Sequence, residues 1–154
     1  MRFWANVNKD GPNGCWEWTG IKHQNGYGKF FIKTKYILAH RHSYSEANGP
    51  IPEGMFLDHI CRNIQCVNPE HLRPCSHSQN MWNTLKSPSN TSGFKGVTRH
   101  KSGRWQAQIR ANGQQTYLGL FDLAIDAHAA YSAAATKLHG EFANPDTERQ
   151  EKTA

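Results

Sequence analysis

From Asp58-His59 the chain runs through Cys61, Cys66 and His71 to Cys75, and this stretch constrains the fold more than any other. Such spacing lets two thiolates and an imidazole converge on one tetrahedral ion. A closed structural site needs a fourth ligand. Cys15, in Gly14-Cys-Trp-Glu-Trp18, is the expected one, because it would tie the N-terminal segment to the loop, with Cys75 and His77 as competitors. A half-chain with few aliphatic residues needs such a staple, and metal binding supplies folding free energy directly. Taken alone, the cysteines would also serve as small buried hydrophobes.

The chain has 154 residues, room for one ordinary domain or two small ones. Every Cys, with His23, His40, His42, His59, His71 and His77, precedes residue 80, and the second half has no Cys. Lys86-Ser-Pro-Ser-Asn-Thr-Ser-Gly93 is a run of coil formers. The expected organisation is therefore a domain at 1–86, a linker at 87–92, a second domain at 93–145 and a polar tail at 146–154. The apolar stretches Phe30 to Ile32 and Tyr36 to Ala39 fall far short of the roughly 20 residues a membrane helix needs. Met1 to Gly14 lacks the apolar run of a secretory signal. A reducing, cytoplasmic setting follows, in which a metal site is favoured over disulfides. Eighteen Lys and Arg against 12 Asp and Glu give a net charge of +6, which points to a polyanionic partner.

In the first half, Gly26 to Lys33 reads as a strand and Ile37 to Ala47 as a helix stopped by Asn48-Gly49-Pro50. Met55 to Ile60 and Leu72 to Cys75 read as two strands, and Ser76 caps a helix running to about Lys86. Asp58-His59 ends the first of these strands, and Asn80 lies in the early helix. A carboxylate and an amide oxygen are hard ligands suited to magnesium, and a neutral imidazole beside them can take a proton from water near pH 7. Trp16 and Trp18 alternate as core residues do.

His59, Asn68-Pro69, His71 and Asn80, in the block Leu57 to Leu72, resemble the HNH endonucleases, and in particular their zinc-bearing subgroup close to the His-Cys box homing endonucleases. The resemblance covers about residues 14 to 84. It implies an α+β architecture with a zinc-stapled ββα-metal nuclease domain acting on double-stranded DNA. It further implies His59 as general base, Asp58 and Asn80 holding Mg2+ or another divalent cation on the scissile phosphate, and 3′-hydroxyl and 5′-phosphate products. Cys61, Cys66 and His71 match the subgroup's structural zinc ligands, and Cys15 matches its early cysteine. Arg41, in His40-Arg41-His42, would grip a phosphate beside the cut or stay solvated. Asn83, one turn beyond Asn80, reads as a surface residue that would otherwise assist the metal or the DNA backbone. Asn68 ties the loop by side-chain hydrogen bonds.

The second half reads as a three-stranded meander: Phe94 to Lys101, Arg104 to Arg110 after the Ser102-Gly103 turn, and Gln115 to Leu118 after Asn112-Gly113. Alternation puts Trp105, Ala107 and Ile109 on one face and Arg104, Gln106, Gln108 and Arg110 on the other. A helix from an Asp122 cap to His139, stopped by Gly140, would cover the apolar face with Ala127, Ala130, Tyr131, Ala134 and Leu138. Residues 93–121 carry Lys95, Arg99, Lys101, Arg104 and Arg110 and no acid. The open face is thus suited to a major groove, with Arg set against guanine and Gln against adenine.

Gly96-Val97, Gly103-Arg-Trp105, Leu118-Gly-Leu-Phe-Asp122, Ala130-Tyr131 and His139-Gly140-Glu141 resemble the plant ethylene-response-factor (Apetala-two type) DNA-binding domain, over about Ser92 to Asn144. By position that resemblance puts DNA-facing side chains at Thr98, His100, Arg104, Gln108, Arg110, Gln115 and Tyr117. Thr98, His100 and Gln115 stand where plant members usually carry Arg, so the plant target sequence does not transfer. Together the two resemblances imply a homing or phage-type DNA endonuclease with a tethered DNA reader. No membrane and no small-molecule cofactor is implied. Double-strand cutting by one active site would require a homodimer or sequential nicks. A non-catalytic zinc-stabilised DNA-binding regulator is the first alternative and an RNA-directed protein the second.

Overall fold

The computed structural model describes residues 3–144, so the expected polar tail at 146–154 lies outside the described residues. The chain is mixed α and β with small antiparallel sheets. It forms two compact units that divide between Asn80 and Met81.

In the first unit, β1 (Val7–Asn8) pairs with β2 (Glu17–Trp18). Trp18, 2% exposed, anchors a core with Phe3, Ala39 and Val67. Its indole lies so close to Gly28 that a Cβ there would stand 2.5 Å from a ring atom, which fixes glycine at that position. Trp16 is half-buried, edge-on to Trp4, with the Lys9 ammonium 4.1 Å above its ring. β3 (Lys29–Ile32) and β4 (Lys35–Leu38) form a hairpin leading into α1 (Ala39–Asn48). Ile37 and Leu38, expected in the helix, belong to β4, where Tyr36 and Ile37 oppose Phe31 and Phe30. Such aromatic and β-branched cross-strand pairs outweigh an extra half-turn of helix. The Ser43 hydroxyl, fully buried, ties α1 to the loop by donating to the Val67 carbonyl.

β5 (Phe56–His59) and β6 (Leu72–Cys75) pair in a register that sets Asp58 opposite Arg73 and His59 opposite Leu72. α2 (His77–Asn83) follows directly. Ser76 Oγ accepts from the Gln79 N–H and Gln79 Oε1 accepts from the Ser76 N–H, so the expected cap is a reciprocal capping box. The helix stops at Asn83 rather than near Lys86. Its last carbonyls find other donors: Lys95 Nζ donates to Trp82 and Thr84, and Asn144 Nδ2 to Asn83 and Thr84.

In the second unit, β7 (Val97–Arg99), β8 (Trp105–Ala111) and β9 (Gln114–Phe121) form an antiparallel sheet in that order. α3 (Ala124–His139) packs on it. Ala107 opposes Gly119 but Gln108 opposes Tyr117, so Leu118 is an extra residue in β9. The buried stripe of α3 is Ala127, His128, Tyr131, Ala135 and His139. It is rotated from the expected one, and Leu138 is 44% exposed. Aromatic partners draw the histidines in: His128 stacks on Phe94, and His139 stacks on Trp82 with Nε2 donating to the Arg110 carbonyl. Asp122 does not cap α3. Its carboxylate accepts from Arg104 Nε at 2.8 Å, and Leu123 occupies the cap position without a side-chain hydrogen bond.

Candidate functional site

Cys15 reaches the loop because the segment around it is zipped to the loop's far end. Val67 N–H donates to the Trp16 carbonyl, Trp18 N–H to the Gln65 carbonyl, and Glu17 bridges to Cys66. Asn68 completes the tie, its Nδ2 donating to the Gly14 carbonyl and its Oδ1 accepting from the Glu70 N–H. The sulfurs of Cys15, Cys61 and Cys66 and a ring nitrogen of His71 consequently lie within 4.8 Å of one another. Cys15 and Cys66 Sγ stand 3.7 and 3.6 Å from His71 Nδ1. Tetrahedral bonds of about 2.3 Å to sulfur and about 2.0 Å to nitrogen give edges of roughly 3.6 Å. This Cys3His cluster therefore has the donor set and spacing to hold a zinc ion. The competitors lie elsewhere: Cys75 is buried at the end of β6, opposite Phe56, and His77 packs its ring on Phe56. None of the four cysteines is in a disulfide.

The cluster's charges want a cation. A hydrogen bond from Cys61 holds the Cys66 thiol down to about 5. The same hydrogen bond pushes the Cys61 thiol up, and burial raises Cys15. Three thiolates side by side require the positive charge of an ion.

Directly before the first loop cysteine, β5 presents Asp58 and His59, 3% and 6% exposed. Arg73 Nε and Nη2 each stand 2.9 Å from Asp58 Oδ2, across the β5–β6 pair. His59 Nε2 lies 3.1 Å from the Cys66 carbonyl. A carbonyl only accepts, so Nε2 carries the proton and Nδ1 the lone pair. Burial lowers the pKa of His59, partly offset by that hydrogen bond, which favours the neutral ring near pH 7. Asn80 is half-buried on α2, one turn after the Ser76 cap. Arg41 is half-buried on α1 in a groove of about 600 Å³ that it shares with Leu38, His42, Ser45 and Pro50. Asn83 is 4% exposed, and so is not the surface residue expected.

Three neighbours were not singled out from the sequence. The His40 ring lies 4.9 Å from that of His59, and Tyr27 lies 5.3 Å from His40 and 6.0 Å from His59. His40 is 5% exposed, and its Nδ1 has no hydrogen-bond partner among the described residues. Burial foremost, then the repulsion a protonated His59 would exert and the charge of Arg41, pushes its pKa down to about 3. Arg73 was the most accessible to inference, since pairing Asp58 with it needs only the strand register.

In the second unit, Thr98 opposes Gln106, Gln108 opposes Tyr117 and Arg110 opposes Gln115, so these six share one face. Gln108 Oε1 accepts from both Gln106 and Gln115 side-chain amides. His100 bonds Ser102 in the β7–β8 turn. Arg104, just before β8, donates to the Asp122 carboxylate and to the Leu120 carbonyl.

An HNH endonuclease family model matches residues 37–82, which contain Asp58, His59, Asn80 and three of the four Cys/His cluster residues. Protein 3.8 of Escherichia phage T7 is 35% identical over 105 residues, covering 68% of this chain and 86% of that protein. The chain belongs to the family of T7 Protein 3.8. Its HNH endonuclease domain spans α1, β5, the Cys/His loop, β6 and nearly all of α2. T7 Protein 7.7 is 41% identical over 70 residues, 44% of this chain, and the chain spans only 54% of its length. An AP2/ERF and B3 domain-containing transcription factor of Arabidopsis thaliana is 46% identical over 61 residues, 40% of this chain and 17% of that protein. No helix among the described residues is long and apolar enough to cross a membrane.

Proposed function

We propose that this protein is a divalent-metal-dependent DNA endonuclease of the HNH type, with a zinc-stapled ββα-metal nuclease domain and an Apetala-two-like sheet that binds double-stranded DNA. The observation that carries the reading is the commitment of His59 Nε2 to the Cys66 carbonyl, beside Asp58, in an HNH domain. The Nδ1 lone pair takes the proton from a water attacking the scissile phosphate, the bond to the 3′ oxygen breaks, the departing oxygen takes a proton from solvent, and 3′-hydroxyl and 5′-phosphate ends result.

Asp58 and Asn80 offer the hard oxygen donors that suit Mg2+, and Arg73 is paired with Asp58 at Oδ2. When bound there, such a cation would neutralise charge building on the phosphate and the leaving oxygen. Arg41 is assigned to a neighbouring phosphate. Cys15, Cys61, Cys66 and His71 would hold a structural zinc that anchors the loop supplying the Cys66 carbonyl, so the staple also aims the base. Thr98, His100, Arg104, Gln106, Gln108, Arg110, Gln115 and Tyr117 form the proposed DNA-reading set, Arg104 after exchanging Asp122 for a phosphate.

The test is cleavage of supercoiled plasmid by wild type and His59→Ala, with and without magnesium, alongside structured RNA. Nicked or linear DNA only with wild type and magnesium is expected, the variant losing about 10²-fold or more. An intact plasmid across several target DNAs, with binding retained, refutes the nuclease and favours a zinc-stabilised DNA-binding regulator. The likeness to a plant transcription factor over 40% of the chain is what such a regulator would share.

A further inference from the structure

Between Glu17 and Glu46 the sequence has no acidic residue, yet it carries Lys22, Lys29, Lys33, Lys35 and Arg41. Much of that run folds into a ribbon. Lys22 bridges to Gly28, the Lys29 N–H donates to the Ile21 carbonyl at 2.9 Å, and β3 then pairs with β4. Alternation sends Phe30 inward onto Trp18 and Phe3. Tyr27, Lys29 and Phe31 therefore share the opposite face, with Leu38 opposite Lys29 and Tyr36 opposite Phe31.

That face has aromatic groups without cover. Phe31 and Tyr36 are 53% and 54% exposed, their rings 5.0 Å apart, and the Lys29 ammonium lies 4.7 Å above Tyr36. Ile21 continues the strip at 59% exposure. Paired aromatics with an ammonium over one ring, and no carboxylate along the same run of sequence, complement a polyanion that also offers flat or apolar edges. The face starts at the nuclease site, because Tyr27 touches His59. At about 3.3 Å per residue Phe31 stands roughly 13 Å from Tyr27, a length over which duplex DNA presents about eight phosphate charges.

We propose that this ribbon face is a duplex-DNA contact surface of the nuclease unit, separate from the sheet of the second unit. Lys29 and Lys33 sit on phosphates, and Phe31 and Tyr36 lie against sugars and base edges. The proposal rests on the nuclease reading, since that reading defines where DNA lies relative to His59.

Duplex binding by the full chain, measured by fluorescence anisotropy from 50 to 200 mM salt, tests it. Wild type is compared with Lys29→Gln/Lys33→Gln, with Lys33→Gln alone at the exposed turn, with Tyr36→Ala, and with Lys137→Gln on α3 as control. Each phosphate contact contributes about 0.9 to the slope of log K against log salt, so the double variant should lose about 1.8. Wild type should then lose about 12-fold more affinity than the double variant across that fourfold salt range. Lys33→Gln should lose about half that slope, Tyr36→Ala should weaken binding with the slope kept, and the control should match wild type. Equal affinities and slopes for wild type and all ribbon variants, with wild type still cutting plasmid, overturn the ribbon surface and leave the nuclease standing. A wild type that neither binds nor cuts duplex DNA overturns both.

Discussion

Replacing Arg73 with methionine tests whether the ion pair at Asp58 holds β5 and β6 together. Methionine keeps most of the apolar stem and removes both contacts to Asp58 Oδ2. Deleting one partner of a buried pair costs about 3–5 kcal/mol, because the survivor remains charged and desolvated. The Asp58 side chain is 4% exposed and that of Arg73 15%, which leaves some relief through water and puts the expectation near the lower end, about 3 kcal/mol. For a unit of this size that is a fall in melting temperature of roughly 12–24 °C. Urea melts followed by the indole N–H signal of Trp18, which donates to the Ile21 carbonyl inside the first unit, isolate that unit from the second. The double variant Arg73→Met/Asp58→Asn, which removes the stranded charge, should recover about 2 kcal/mol of the loss. Millimolar magnesium should raise the melting point of Arg73→Met more than that of wild type, because a cation can take the place of the lost guanidinium. A cost below about 1 kcal/mol, or additive losses in the double variant, refutes the reasoning.

Stripping zinc with a chelator should unfold the first unit, seen as loss of the Trp18 indole signal, and Cys15→Ser should lower zinc content and cleavage together. Acid should destabilise the protein through His40: its folded pKa of about 3 lies below the unfolded 6.5, so the unfolded chain alone takes up a proton between them. Stability should therefore fall as pH drops through 6.5, by roughly 2.7 kcal/mol at pH 4.5, and His40→Gln should flatten that slope in pH-dependent urea melts. An unchanged slope would show that the ring is not the group refusing the proton. Gly96→Ala should cost more than about 2 kcal/mol, since φ is +72° and the new methyl would run into the Tyr131 ring. Hydrogen exchange at β7 would register the loss.

The cysteine and histidine spacing determined three members of the Cys3His cluster, because Cys61, Cys66 and His71 are held within eleven residues whose geometry chain length alone restricts. Alternation in β8 and the Asn112-Gly113 turn likewise determined the meander. Helix limits were less legible: side-chain donors far along the chain, Lys95 and Asn144, ended α2, and cross-strand pairing took Ile37 and Leu38 from α1. The stripe of α3 was misjudged for the same reason, since only Trp82 and Phe94 make His139 and His128 better core residues than Leu138. Around His59, sequence supplied the adjacent Asp58 and the imidazole itself. Tertiary structure decided the rest: the Cys66 carbonyl that selects the tautomer, the Arg73 guanidinium on Asp58, and the His40 and Tyr27 rings against the His59 imidazole. Covalent spacing limits only nearby partners, whereas long-range contacts depend on strand register and helix rotation, which are set by the packing of the whole unit.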